Sequence, residues 1–347
     1  MAWPAAPLSS AASSTLSCRL LPTMDATPDA AVPGASPLAD DLDSVKRLED
    51  AGAAAIVMRS LFEEQLTQES LGAARHLDGH SESYGEALSY FPSTNVFALR
   101  ADAYLEQLRR IRGTVAVPVI ASLNGTTPGG WLDYARQIEQ AGAHALELNL
   151  YSLPSSPELS AADIERGQLQ IIASVVKSVR IPIAVKLSPF YTSLPHFVAA
   201  IARTGARGVI LFNRFYQPDI DIESLDNRLD LHLSDSSELL LRLRWLAIVS
   251  PHCELSLACS GGVHSATDAV KAVMAGAHSV QIVSALLKHG PGHLRKILDE
   301  LTRWLTEHEY ESMAQLCGSM NHARSPNPSA YERANYIRLL SSFHTES

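Results

Sequence analysis

Four times along the chain a helix-like stretch runs into a small residue, then Gly-Ala, and then directly into a short apolar run. The steps are Ala51-Gly52-Ala53 before Ile56-Val57-Met58, Ala141-Gly142-Ala143 before Ala145-Leu146-Glu147-Leu148-Asn149, Thr204-Gly205-Ala206 before Gly208-Val209-Ile210-Leu211-Phe212, and Ala275-Gly276-Ala277 before Ser279-Val280-Gln281-Ile282-Val283. Gly accepts the left-handed conformation that ends a helix, and its small neighbours let the chain turn at once into a buried strand. Between these units lie apolar runs of a different build, Val117-Pro118-Val119-Ile120-Ala121-Ser122, Ile181-Pro182-Ile183-Ala184-Val185-Lys186-Leu187 and Leu255-Ser256-Leu257-Ala258-Cys259-Ser260. Alternating strand and helix means a parallel sheet.

Seven strands are read in this way, and Ala31-Val32-Pro33-Gly34-Ala35-Ser36 supplies a weaker eighth. Eight strands close a (β/α)8 TIM barrel, whose usual length of about 250 residues fits here with room for insertions. A doubly wound open sheet would place its cofactor at a Gly-rich turn after the first strand, and no G-x-G-x-x-G occurs. The 3.6 period predicts helices over residues 40–50, 131–140, 161–179, 194–203, 237–248, 265–274 and 292–308. Residues 68–112, between the second and third strands, are too long for a simple connection. This inserted segment, with a helix near 101–112, is expected over the barrel mouth as a lid or substrate loop.

With 347 residues, 46% of them hydrophobic, the chain has ample material for one large core, and no run approaches the roughly 18 apolar residues of a membrane span. A formal charge of −9 without a basic run argues against nucleic acid and gives no sign of an anionic membrane partner. Cys18, Cys253, Cys259 and Cys317 are far apart and form no C-x-x-C pair, so no metal is expected, and a reducing, cytoplasmic compartment fits best. Residues 1–30 are rich in Ala, Ser, Pro and Thr with no sustained period, and read as a disordered segment, a transit peptide or a misplaced start with Met24 as the internal alternative. The barrel is expected over residues 31–320, followed by a tail over 321–347.

Chemistry in such a barrel is carried by polar residues at the C-terminal ends of the strands. In order these are Ser36, Arg59 with Ser60, Ser122 with Asn124, Glu147 with Asn149, Lys186 with Ser188, Asn213 with Arg214, Ser260-Gly261-Gly262, and Ser284. Any one of them reads equally well as a structural hydrogen bond; the set converging on one mouth reads as a polar pocket. Gly261, Gly262 and Ser284 follow the seventh and eighth strands, where loops commonly supply backbone N–H groups to a phosphate. Lys186 could hold charge on an anionic ring, or lie buried against Glu147.

Several of these stretches together resemble one family. Gly34-Ala35-Ser36, Glu147-Leu148-Asn149-Leu150, Val185-Lys186-Leu187-Ser188-Pro189, Asn213, Ser260-Gly261-Gly262 and Glu309-Tyr310-Glu311-Ser312-Met313 are similar to the dihydroorotate dehydrogenases. Ser60-Leu61-Phe62-Glu63-Glu64-Gln65 and Phe212-Asn213-Arg214-Phe215-Tyr216-Gln217-Pro218 point to a divergent, dihydroorotate dehydrogenase-like branch. The resemblance implies an FMN-dependent oxidoreductase of pyrimidine (UMP) biosynthesis, in which dihydroorotate gives a hydride to flavin N5 and a proton to a side-chain base. Carried over, Ala35 and Ser36 touch the flavin; Arg59, Ser60, Asn149 and Lys186 bind its ring and ribityl region; Gly261, Gly262 and Ser284 receive the phosphate. Asn124 and Asn213 face the substrate, Ser152 stands at the position of the base, and a homodimer is a family expectation.

The chain also departs from that pattern. Arg59 stands where the family has a Lys, no Asn-x-x-Gly-Leu-Pro-Asn segment is visible within residues 68–112, and Leu231-His232-Leu233-Ser234-Asp235 replaces a Gly-rich stretch. Two further readings follow: a flavin-binding barrel that has lost dihydroorotate oxidation, and a flavin-free lyase or isomerase acting on a phosphorylated metabolite with Lys186 as a Schiff-base lysine.

Overall fold

The computed structural model describes residues 31–62, 101–125, 128–151, 153–228, 231–333 and 340–342. Eight parallel strands form the barrel: β1 (Ala31–Pro33), β2 (Ile56–Phe62), β3 (Val119–Asn124), β4 (Ala145–Asn149), β5 (Ile183–Leu187), β6 (Gly208–Leu211), β7 (Ser256–Ser260) and β8 (Ser279–Ile282). The order around the wall is β1-β8-β7-β6-β5-β4-β3-β2, and the seam between the two end strands is bridged by Ala54 N–H donating to the Ala31 carbonyl at 3.1 Å. The weak first strand is thus real, though only three residues long.

Helices alternate with the strands: α1 (Leu42–Asp50), α2 (Ala101–Arg112), α3 (Pro128–Gln140), α4 (Ala161–Ser178), α5 (Leu194–Arg203), α6 (Leu239–Val249), α7 (Ala266–Ala275), then α8 (Ser284–His289) and α9 (His293–Glu307) after the last strand. α2 is not part of a lid: its Tyr104, Leu105, Leu108 and Ile111 are buried in the core shared by helices and sheet, so it is the barrel helix between β2 and β3. The expected lid residues between Phe62 and Ala101 lie outside the described residues. Among the described residues no helix is long and apolar enough to cross a membrane.

The Gly-Ala steps work as the sequence predicts. Gly52, Gly142, Gly205 and Gly276 all have φ between 93 and 120°. In three of them the following Ala N–H reaches back five residues, Ala53 to Leu48, Ala143 to Ile138 and Ala277 to Ala272, closing the helix end before the strand begins. Two steps continue into His, and each ring seals the bottom of the preceding strand. His144 Nδ1 accepts the Val119 N–H at 2.9 Å, and His278 Nδ1 accepts the Leu257 N–H at 3.1 Å.

Strand alternation separates two cores. Ile56, Met58, Val119, Ala121, Leu146 and Leu148 face outward to the helices, whereas Val32, Ala55, Val57, Ile120 and Ala145 form a distinct apolar cluster inside the barrel at the N-terminal ends of the strands. Two residues further along β3 and β4 the inward positions are polar, Ser122 and Glu147, and the site begins there.

Candidate active site

β4, β5 and β8 each send one long polar side chain inward: Glu147, Lys186 and Gln281, all buried. Lys186 Nζ donates to Glu147 Oε1 at 3.2 Å and to Gln281 Oε1 at 2.9 Å, and Gln281 Nε2 donates to Glu147 Oε2 at 2.6 Å. An isolated ammonium here would be expensive; a closed triangle gives each charge a partner and each carboxylate oxygen a donor. Lys186 is buried against Glu147, as one of its two sequence readings has it, and it also lines the cavity above. A lysine committed as a donor to two oxygens is poorly placed to attack a carbonyl as a free amine, which weighs against the Schiff-base reading.

That cavity, of about 270 Å³, is walled by Ala35 and Ser36 after β1, Lys186 from β5, Asn213 after β6, Ser260 to Gly262 after β7 and Ser284 after β8. The double glycine is demanded twice over. Gly261 and Gly262 have φ of 90 and 80°, and a Cβ on Gly262 would lie 2.5 Å from the backbone nitrogen of Leu239 at the start of α6. Among the described residues the N–H groups of Gly261, Gly262 and Val263 meet no protein acceptor, as a cradle for a phosphate requires. Ser284 Oγ accepts the Ser234 N–H at 3.1 Å, leaving its own proton to donate.

Arg214 after β6 also lines the cavity, whereas Asn149, Ser60, Ser122, Asn124 and Arg59 lie outside its walls. Asn149 Oδ1 accepts from Asn213 Nδ2 at 2.9 Å and so supports a wall residue. Ser60 and Ser122 share a hydroxyl contact of 2.7 Å, and Asn124 is buried at the end of β3. Arg59 pairs with Asp40 at 2.7 Å, and burial of that carboxyl raises its pKa despite the opposing pull of Arg59. A bulge in β2 between Val57 and Ser60 opens the ladder to β3, and the Tyr104 hydroxyl fills it by bonding both backbone groups of Ser122. Cys259, whose thiol burial pushes up to about 12, is no thiolate nucleophile. Ser152 lies outside the described residues.

Sequence reading missed Gln281, Ser234, Glu238 and Arg242, which also line the cavity. Gln281 was legible as a polar residue at the inward position of an apolar strand. Ser234 comes from the stretch after β6 that follows no periodic pattern, whereas Glu238 and Arg242 stand at the start of the helix predicted over 237–248, whose period does not say what it packs against.

Comparison with known proteins gives this site a lineage. A family model described as dihydroorotate dehydrogenase matches residues 98–305. A protein of Aeropyrum pernix carried under the provisional name dihydroorotate dehydrogenase A (fumarate) is 30% identical over 241 residues, covering 66% of this chain and 77% of that protein. The catalytic subunit named dihydroorotate dehydrogenase B (NAD(+)) is 26% identical over 227 residues in Endomicrobium trichonymphae, covering 64% of this chain and 74% of that protein. Its namesake in Pyrococcus abyssi is 29% identical over 226 residues, covering 62% and 73%. The matched span runs from α2 to α9 and takes in six of the eight strands, so the chain belongs to the dihydroorotate dehydrogenase family of oxidoreductases.

Proposed function

We propose that the chain is an FMN-dependent oxidoreductase that oxidises dihydroorotate, or a related cyclic amide, in cytoplasmic pyrimidine (UMP) biosynthesis, acting as a homodimer. The observation that carries this reading is the convergence of Ser36, Lys186, Asn213, Gly261, Gly262 and Ser284, from five strand ends, on one cavity with a buried cation in its floor. When bound, FMN supplies the hydride acceptor at its N5 position. Unpaired N–H groups at Gly261 and Gly262, with the Ser284 hydroxyl, suit its phosphate. Lys186 sets a fixed positive charge against the ring, and Ala35 and Ser36 border it. The Asn149–Asn213 amide pair orients substrate together with Asn124, and Ser152 takes the carbon-bound proton. A serine is a weak base unaided, so this step needs a relaying water or neighbour.

A second reading, a flavin-binding barrel without dihydroorotate oxidation, is favoured by Arg59. The side chain standing where the family has a Lys at flavin and substrate turns to Asp40 and does not line the cavity. An absorbance spectrum followed by anaerobic titration with dihydroorotate separates the two. A flavin band that bleaches supports oxidation, a band that persists supports the second reading, and no flavin band overturns both.

A further inference from the structure

The buried guanidinium of Arg242 lines the cavity, yet nothing said so far gives it a task. It lies in α6, within the apolar run Leu239-Leu240-Leu241-Arg242-Leu243, and its side chain is 7% exposed. Nε donates to the Ser260 carbonyl at 2.9 Å and Nη1 to the Glu238 carbonyl at 2.7 Å, so one edge of the group ties the helix to the end of β7. The other edge faces the cradle: a Cβ on Gly261 would sit 2.7 Å from Nη2. The missing side chain at Gly261 is therefore what lets a cation reach the double glycine, beyond any need for an unusual φ.

The charges around it do not cancel. Glu238 lies 3.7 Å from Arg242 and 3.6 Å from Arg214, and it is the one acid among the described cavity walls besides these two arginines and Lys186. Lys186 already has Glu147. Two guanidinium groups thus share one carboxylate at lengths too great for close ion pairs, beside backbone N–H groups without acceptors. Burying a cation is costly unless an anion completes it.

We infer that Arg242, supported by Arg214, is a ligand-binding residue that places side-chain charge on the anionic tail seated at Gly261–Gly262, so that the pocket selects a phosphorylated flavin over its unphosphorylated form. The inference rests on the flavin reading above, and the test keeps the two apart. Equilibrium binding of FMN and of riboflavin is measured on the full chain by quenching of flavin fluorescence, for wild type, Arg242→Met, Arg242→Lys and Glu238→Gln. Expected for Arg242→Met is a loss of about 10- to 100-fold in FMN affinity with riboflavin changed less than about threefold. Arg242→Lys restores part of the preference, and Glu238→Gln, which keeps both arginines and the two carbonyl bonds of Arg242, raises it about threefold or more. A purely structural Arg242 would weaken both flavins alike. An FMN-to-riboflavin preference unchanged in Arg242→Met and Glu238→Gln overturns the inference while leaving the flavin reading intact; should Arg242→Met not fold, Glu238→Gln decides alone. A wild type that binds neither flavin overturns both.

Discussion

The two ends of the barrel interior are built from opposite materials. At the N-terminal end, Val32, Ala55, Val57, Ile120 and Ala145 make a small apolar plug, and His144 and His278 seal two strands beneath it through backbone bonds. At the C-terminal end, two residues further along the same strands, stand Ser122 and Glu147, and Glu147 joins Lys186 and Gln281 in a polar floor under the cavity. Stability and chemistry are thus stacked in one wall, and the strand period of two sets the distance between them.

The strongest way to break the contrast is Glu147→Gln. It leaves the Lys186 ammonium buried beside neutral amides and is expected to cost about 3–5 kcal/mol in urea unfolding, because the penalty of an unmatched buried charge exceeds the worth of the pair. The plug answers differently. Ile120→Ala should cost about 2–5 kcal/mol through a cavity, yet leave the flavin content of the folded fraction unchanged. Gly262→Val reverses that pattern. Strain at φ 80° and contact with the Leu239 backbone should cost about 1–3 kcal/mol while abolishing FMN binding, measured by the flavin-to-protein absorbance ratio.

The smallest effect belongs to His144. Burial, reinforced by the Arg112 charge, lowers its pKa below the ordinary 6.5. The unfolded chain therefore binds more protons here just below pH 6.5, so this contribution is present above that pH and is lost as pH falls through the lower folded value. With the ring only partly buried, the loss should be about 0.5 kcal/mol or less. His144→Gln should flatten that part of the urea midpoint's pH profile; an equally steep profile would assign the dependence elsewhere.

How legible the molecule was in its sequence follows the same division. Repeated Gly-Ala steps and apolar runs are local signals, and they located every barrel strand, including the short β1. Lys186, Asn213, Gly261 and Ser284 were legible because a polar or glycine residue at a strand end has few structural excuses. Arg242 was not, because an arginine inside an apolar helix reads as a surface residue until β7 is packed against it. The α2 helix was placed in an insertion because its amphipathic pattern says nothing about which neighbour it covers. Arg59 was aligned by position, but its partner Asp40 sits on the far side of a turn that no motif announces.

The triangle beneath the cavity joins residues 147, 186 and 281, so its last corner is 134 positions from its first. A nascent or truncated chain ending before β8 would hold an acid and a base side by side with no amide to complete them and no eighth stave to shelter them. The polar floor of the cavity is thereby a property of the finished cylinder only, complete once the wall has been joined end to end.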